Sequence, residues 1–172
     1  MIAFLKVFLD IVLWRRGPQD LPASPLLFRL ALAAYVAVSV VQLLVLRESA
    51  ATWAVFLLID PPLLTGCVWL VLRLYRHPER FLQTASAVLG TGSLLGLLLY
   101  LPLQLLLGAL GRGPDAGLYQ VAALLLLVVF ALVTGRILKL GAESSLATGV
   151  GIALGYFFLI NLVLSVAQSA GG

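Results

Sequence analysis

The sequence predicts an all-α, polytopic transmembrane bundle of five spans, preceded by a short interfacial amphipathic helix at residues 1–25. Three observations carry this reading. Of 172 residues, 62% are hydrophobic and only 10% charged, with a mean hydropathy of +1.13. A soluble domain carries roughly a quarter charged residues, and so few charges in water would leave large apolar patches exposed. Second, five continuous apolar runs approach or exceed the ~20 residues needed to cross a ~30 Å hydrocarbon core. Third, the basic residues fall on one side of an up-down arrangement of those runs.

Residues 1–14 are too short and too interrupted to span. Lys6 and Asp10 share one helical face, while Phe4, Leu5, Phe8, Leu9, Ile11 and Val12 cover most of the rest. Such a helix can lie along a membrane interface with Trp14, Arg15 and Arg16 at headgroup level; the alternative is a helix packed on the bundle. The arginines follow the apolar stretch, the reverse of a cleavable or twin-arginine export signal, so the segment is expected to be retained. The Pro-rich stretch "GPQDLPASP" (17–25) turns the chain into the membrane domain, 26–172.

The five runs are 26–46, 51–72, 81–107, 118–138 and 145–167, joined by "RES", "RHPER", "GRGPD" and "KLGAE". Connectors this short force antiparallel neighbours. Continuous apolar runs without alternation favour helices over a barrel. Lys6, Arg15, Arg16, Arg29, Arg73, Arg76, Arg80, Arg136 and Lys139 then share the N-terminal face, and only Arg47 and Arg112 take the other. The positive-inside rule places the N-terminal face in the cytoplasm and the C-terminus outside. No long soluble tail or loop is expected on either face.

The second run contains "LLIDPPLLTG" (57–66). Asp60 sits ~13 Å into the span at 1.5 Å per residue, near the midplane, where a carboxylate costs about 2.5–3.5 kcal/mol and should face protein or water. Pro61 and Pro62 lack N–H groups and deprive carbonyls around Phe56–Leu58 of helical partners. The functional reading is a midplane polar site with Asp60 as proton or cation ligand, like the ion sites at broken transporter helices. The structural reading is a proline kink with a protonated Asp60 hydrogen-bonded to a neighbouring helix. The sequence favours the latter, because Asp60 is the lone deep acid. Gln104 and Asn161 match it best in depth as partners.

Spans three and five share a glycine pattern: Gly90, Gly92 and Gly96 in "GTGSLLG", Gly149, Gly151 and Gly155 in "GVGIALG". Each contains GxxxG, a flat face for close helix approach, so these two spans are expected to pack together, with dimerisation as the alternative. The spacing is not that of a dinucleotide loop. His77, the single histidine, is expected to be a solvated loop residue. Arg15, Arg16, Arg73, Arg76, Arg80, Arg136 and Lys139 form a basic rim that orients the protein and touches anionic headgroups; docking of an acidic partner is the alternative.

The inventory points away from catalysis. An intramembrane aspartyl protease needs two intramembrane aspartates, a serine–histidine dyad needs a histidine in the bundle, and no acidic cluster is at hand to hold a metal. Cys67 is the single cysteine, which excludes an intramolecular disulfide. No cofactor, metal or nucleic acid is expected.

The layout resembles the Yip-domain family of small integral membrane proteins. The likeness is carried by "RHPERFLQTASAVLGTGSLLGLLLYLPL" at the third span and "GYFFLINLVL" in the fifth, including Gly155-Tyr156. It implies a cytoplasmic N-terminal segment, five closely spaced spans and almost no tail. The aspartate–leucine–tyrosine–glycine–proline motif of eukaryotic members is absent; the acidic-proline element here is Asp60-Pro61-Pro62, in the second span. With nine arginines to two lysines, the resemblance is to bacterial relatives, which carry no defined activity. The expected function is a non-enzymatic inner-membrane scaffold or accessory subunit binding other membrane proteins, lipids or its own copies. The alternative is a small transporter or channel component using Asp60.

Overall fold

The computed structural model describes residues 2–109 and 116–170; the connector Gly111–Asp115, with Arg112, lies outside them. The order is α1 (Ile2–Val12), α2 (Pro25–Leu46), α3 (Ala50–Ala54), α4 (Asp60–Leu74), α5 (Phe81–Leu95), α6 (Leu101–Ala109), α7 (Ala116–Ala142) and α8 (Leu146–Ala170). No strand occurs among the described residues. Five helices are long and apolar enough to cross a membrane: Pro25–Leu46, Ala51–Leu74, Pro78–Leu106, Gln120–Ala142 and Leu146–Ser169. The fold expectation of five membrane-spanning helices holds.

Two spans are composite. Wider π turns at Val55–Ile59 and Gly96–Tyr100 join α3 to α4 and α5 to α6. Both stand just before a proline, Pro61 in one case and Pro102 in the other. A proline ring collides with the carbonyl four residues back, and widening the turn to i→i+5 spacing moves that carbonyl aside. At Asp60 the backbone N–H accordingly donates to the Val55 carbonyl. The broken or kinked helix expected from Pro61-Pro62 is instead a continuous, locally widened one.

The helices stop without glycine. Trp14, Arg47, Arg76 and Glu143 each adopt left-handed φ, between 51° and 65°. The following N–H closes back on a carbonyl five residues earlier in each case: Arg15 on Asp10, Glu48 on Leu43, His77 on Leu72, Ser144 on Lys139 (2.8–3.1 Å). This is the Schellman arrangement that satisfies orphan helix-end carbonyls. It lets the connectors be so short.

α5 is the central helix. Thr84–Thr91 and Ser93–Gly96 are buried, because its small residues let neighbours approach from every side. It packs on α2, α7, α1 and α4. Phe8 and Ile11 of α1 are buried in this cluster, so α1 packs on the bundle. A β-carbon at Gly90 would collide with the Phe8 ring; one at Gly92 or Gly96 would meet Tyr35 or Gln42 of α2.

The expected partnership of spans three and five is not what forms. α8 packs chiefly on α7 and touches α3, while α5 is already surrounded. Of the fifth-span glycines only Gly149 makes a close approach, its missing β-carbon replaced by the Gly135 carbonyl of α7; Gly151 and Gly155 face open space.

The N-terminal face is clamped by side chains. Arg136 donates to the carbonyls of Ile11 (3.5 Å), Trp14 (2.8 Å) and Arg16 (3.2 Å) and lies over the Trp14 ring at 5.0 Å. Gln83 donates to the Leu21 carbonyl (2.7 Å). Arg80 pairs with Glu143 (2.5 Å), and His77 lies 3.6 Å from the same carboxylate and 3.3 Å from Glu79. His77 is thus part of a cluster tying two connectors together, not a free loop side chain. Arg80 and Arg136 are occupied internally, and Arg73 covers the Trp69 ring at 4.9 Å. The exposed Arg15, Arg16, Arg76 and Lys139 remain as rim, with Arg16 close to Asp10 (3.6 Å).

Two outcomes follow. Gly149→Val should lower stability in detergent by about 2 kcal/mol through overpacking against the α7 backbone, whereas Gly151→Val should change it by less than about 0.5 kcal/mol; thermal unfolding of both variants checks this. The hydrogen bond and charge of Arg80, with His77 nearby, hold the Glu143 carboxyl below its ordinary 4.5. Its contribution is therefore complete above about pH 4.5 and is lost as pH falls through the lower folded value. Glu143→Gln should flatten the fall in melting temperature below about that pH.

Candidate intramembrane site

Asp60 is 2% exposed and stands at the start of α4. The Tyr35 hydroxyl of α2 donates to its Oδ2 at 2.6 Å, and the Tyr156 hydroxyl of α8 donates to its Oδ1 at 2.5 Å. Tyr156 also lies 3.2 Å from the Asp60 carbonyl oxygen. One carboxylate thereby joins the first, second and fifth spans near the middle of each. Two hydrogen bonds to a charged group contribute about 1.5–3 kcal/mol apiece, which offsets the about 2.5–3.5 kcal/mol cost of a midplane carboxylate. They occupy two of its about four lone-pair sites.

Asp60 lines the deeper part of a cavity of about 520 Å³. The cavity extends from the Tyr35–Asp60–Tyr156 level to Glu48 in the α2–α3 connector, on the face opposite α1. Its polar lining comes from side chains of four spans: Ser39, Gln42, Thr52, Ser93, Gln104 and Asn161. Among the described residues its charged lining consists of Asp60 and Glu48 alone, with no Lys, Arg or His. Toward the N-terminal face the bundle is filled instead, with Ile11, Leu72, Leu89 and Ile137 at most 2% exposed.

The two polar residues matched to Asp60 by depth are in the cavity but are not its hydrogen-bond partners. Asn161 donates to the Phe157 carbonyl one turn back (2.8 Å), and Gln104 lines the wall further toward the opposite face. The partners are the tyrosines. A signal for them was present: tyrosine in a span belongs at the interface belts, and Tyr35 and Tyr156 sit near span centres, at the depth of Asp60. Pro61 and Pro62 act through the backbone; Thr65 donates to both of their carbonyls (2.9 and 3.1 Å). Gly92 and Gly96 also border the cavity, where their lack of side chain leaves room for Tyr35 and Gln42. No group of three or more metal-ligating side chains occurs among the described residues.

Compared with known proteins, the chain matches no family model, no curated protein and no solved structure.

Tyr35→Phe and Tyr156→Phe should each lower stability by about 1.5–3 kcal/mol. In an Asp60→Asn background each should cost less than half of that, because the charged acceptor is gone. A double-mutant cycle from unfolding in mixed micelles measures the coupling.

Proposed function

We propose that this is a non-enzymatic multi-pass membrane protein that binds a cation in its intramembrane cavity, with Asp60 as the anchoring group, as a small transporter component. The observation that carries the reading is the placement of Asp60: at mid-membrane, on a polar cavity, held by two hydroxyls and paired with no basic side chain among the described residues. An ionisable residue within a span is a functional group by default. Two donors fix the carboxylate's direction while leaving lone pairs for a ligand. The cavity has one open side and one filled side, the arrangement of a binding site in one of two access states.

The proposed location is a bacterial inner membrane with the N-terminal face in the cytoplasm, supported by the nine basic residues that the five-span topology assigns to that face. In this placement Trp14, Arg15 and Arg16 lie at headgroup level and α1 rests along the interface while packing on α5. A second reading, that of a scaffold or accessory subunit resembling bacterial Yip-domain proteins, is favoured by one observation: Gly151 and Gly155 offer a GxxxG face that nothing in the chain covers. Lipid, another membrane protein or a second copy fits that face.

In proteoliposomes, Asp60→Asn should abolish cation- or proton-coupled flux, or saturable cation binding, by at least tenfold while leaving the purified protein monodisperse. If Asp60→Asn is silent and Gly151→Leu instead disperses a copurifying complex, the scaffold reading replaces this one.

A further inference from the structure

The cavity does not end at its own wall. Beside it lies an apolar groove of about 280 Å³ formed by Leu99, Leu103, Ala122, Leu125, Leu126 and Val129. Leu103 and Leu126 line both, so groove and cavity are continuous. The groove exists because the third and fourth spans part company along their length. α5 and α7 pack closely toward the N-terminal face, whereas α6 and α7 make no substantial contact among the described residues. The π turn at Gly96–Tyr100, which accommodates Pro102, stands where they diverge. Leu99 and Leu125, 42% and 62% exposed, form the outer rim on the lipid side.

An apolar groove facing lipid says nothing by itself, since lipid covers it. Its continuity with a negatively charged cavity does. A ligand filling both spaces has an apolar chain at one end and a positive group at the other. The positive group is dictated by Asp60 and Glu48, the charged side chains of the lining, and by the absence there of any basic residue among the described residues. An anionic or zwitterionic headgroup would bring an unpaired negative charge into a low-dielectric site beside Asp60, which is strongly unfavourable. We propose that the cavity takes a single-chain amphiphilic amine from the bilayer, its ammonium group on Asp60 and its alkyl chain lying between α6 and α7. The proposal rests on the reading of Asp60 as a cation anchor and adds the ligand's class and its lateral route. The chain gains little hydrophobic free energy on moving from lipid to groove; it concentrates the amine in the bilayer and positions it at the gap between α6 and α7.

The test is equilibrium binding to the full chain in zwitterionic phospholipid nanodiscs, with ten-carbon alkylamine, ten-carbon alcohol and butylamine as probes. Concentrations of the long probes are expressed per lipid. Both amines should bind saturably, the alcohol at least tenfold more weakly, and Asp60→Asn should abolish the preference for amine over alcohol. Leu125→Trp and, independently, Ala122→Trp fill the groove; each should weaken the ten-carbon amine at least tenfold and leave butylamine within twofold. Leu125 is exposed, so its variant keeps the test meaningful if Ala122→Trp misfolds. If the groove variants leave the long amine unchanged or affect both amines equally, the lateral route is wrong while the Asp60 reading stands. If Asp60→Asn leaves amine binding intact, or neither amine binds the wild-type protein, the anchor reading falls and the proposal with it. Stoichiometric phospholipid that the long amine does not displace would make the groove a lipid site and overturn the proposal.

Discussion

The organisation of this bundle depends on one carboxylate and the two hydroxyls that hold it. In hydrocarbon, helices gain little from burying apolar side chains against each other, because lipid tails are equally apolar. Specific association must come from close packing and from polar groups with no other place to go. Asp60 supplies the polar contribution at mid-membrane, drawing α2 and α8 onto the second span through Tyr35 and Tyr156. Small residues supply the packing contribution, and they are concentrated where α5 meets α1 and α2 and where α7 meets α8.

These two kinds of contact divide the molecule into unlike halves. Toward the N-terminal face, α1 and the small-residue face of α5 fill the interior, and Arg136, Arg80 and Gln83 tie the connecting segments down. Toward the other face the same spans are spread by side chains that are large, polar or both. There the helices widen into π turns ahead of Pro61 and Pro102, and Phe56 and Tyr100 of those turns border the cavity. Widened turns recur at functional sites because they reposition side chains without breaking the helix. The prolines thus shape the site through the backbone, while Asp60 provides its charge.

Much of this was legible in the sequence, for reasons that differ from residue to residue. The five spans follow from run length and from the sorting of Lys and Arg, both one-dimensional properties, and each expected boundary lies within a few residues of the observed helix. Asp60 stood out because a charge at that depth is costly wherever it points. Its partners did not, because which helices touch is a three-dimensional fact: Gln104 and Asn161 share its depth but not its bonds. The matching glycine patterns in spans three and five misled for the same reason. A GxxxG face marks where a helix can be approached, not by whom, and Gly149 meets Gly135 of α7, whose lone glycine has no GxxxG spacing to announce it. Likewise Pro61-Pro62 announced a disturbed helix, but the choice between a break and a π turn depends on neighbours that close around it.

The account turns on the cavity being reachable from the face opposite α1 and occupied by a positive ligand at Asp60. Thiol labelling tests this most directly, using Ser93→Cys on the cavity wall in a Cys67→Ser background, with membrane-impermeant reagent applied to sealed vesicles of each orientation. The account predicts modification from the face opposite α1 only, slowed by an added amine in protein with Asp60 and not in Asp60→Asn. Modification from the α1 face, or labelling indifferent to both amine and Asp60, would contradict it.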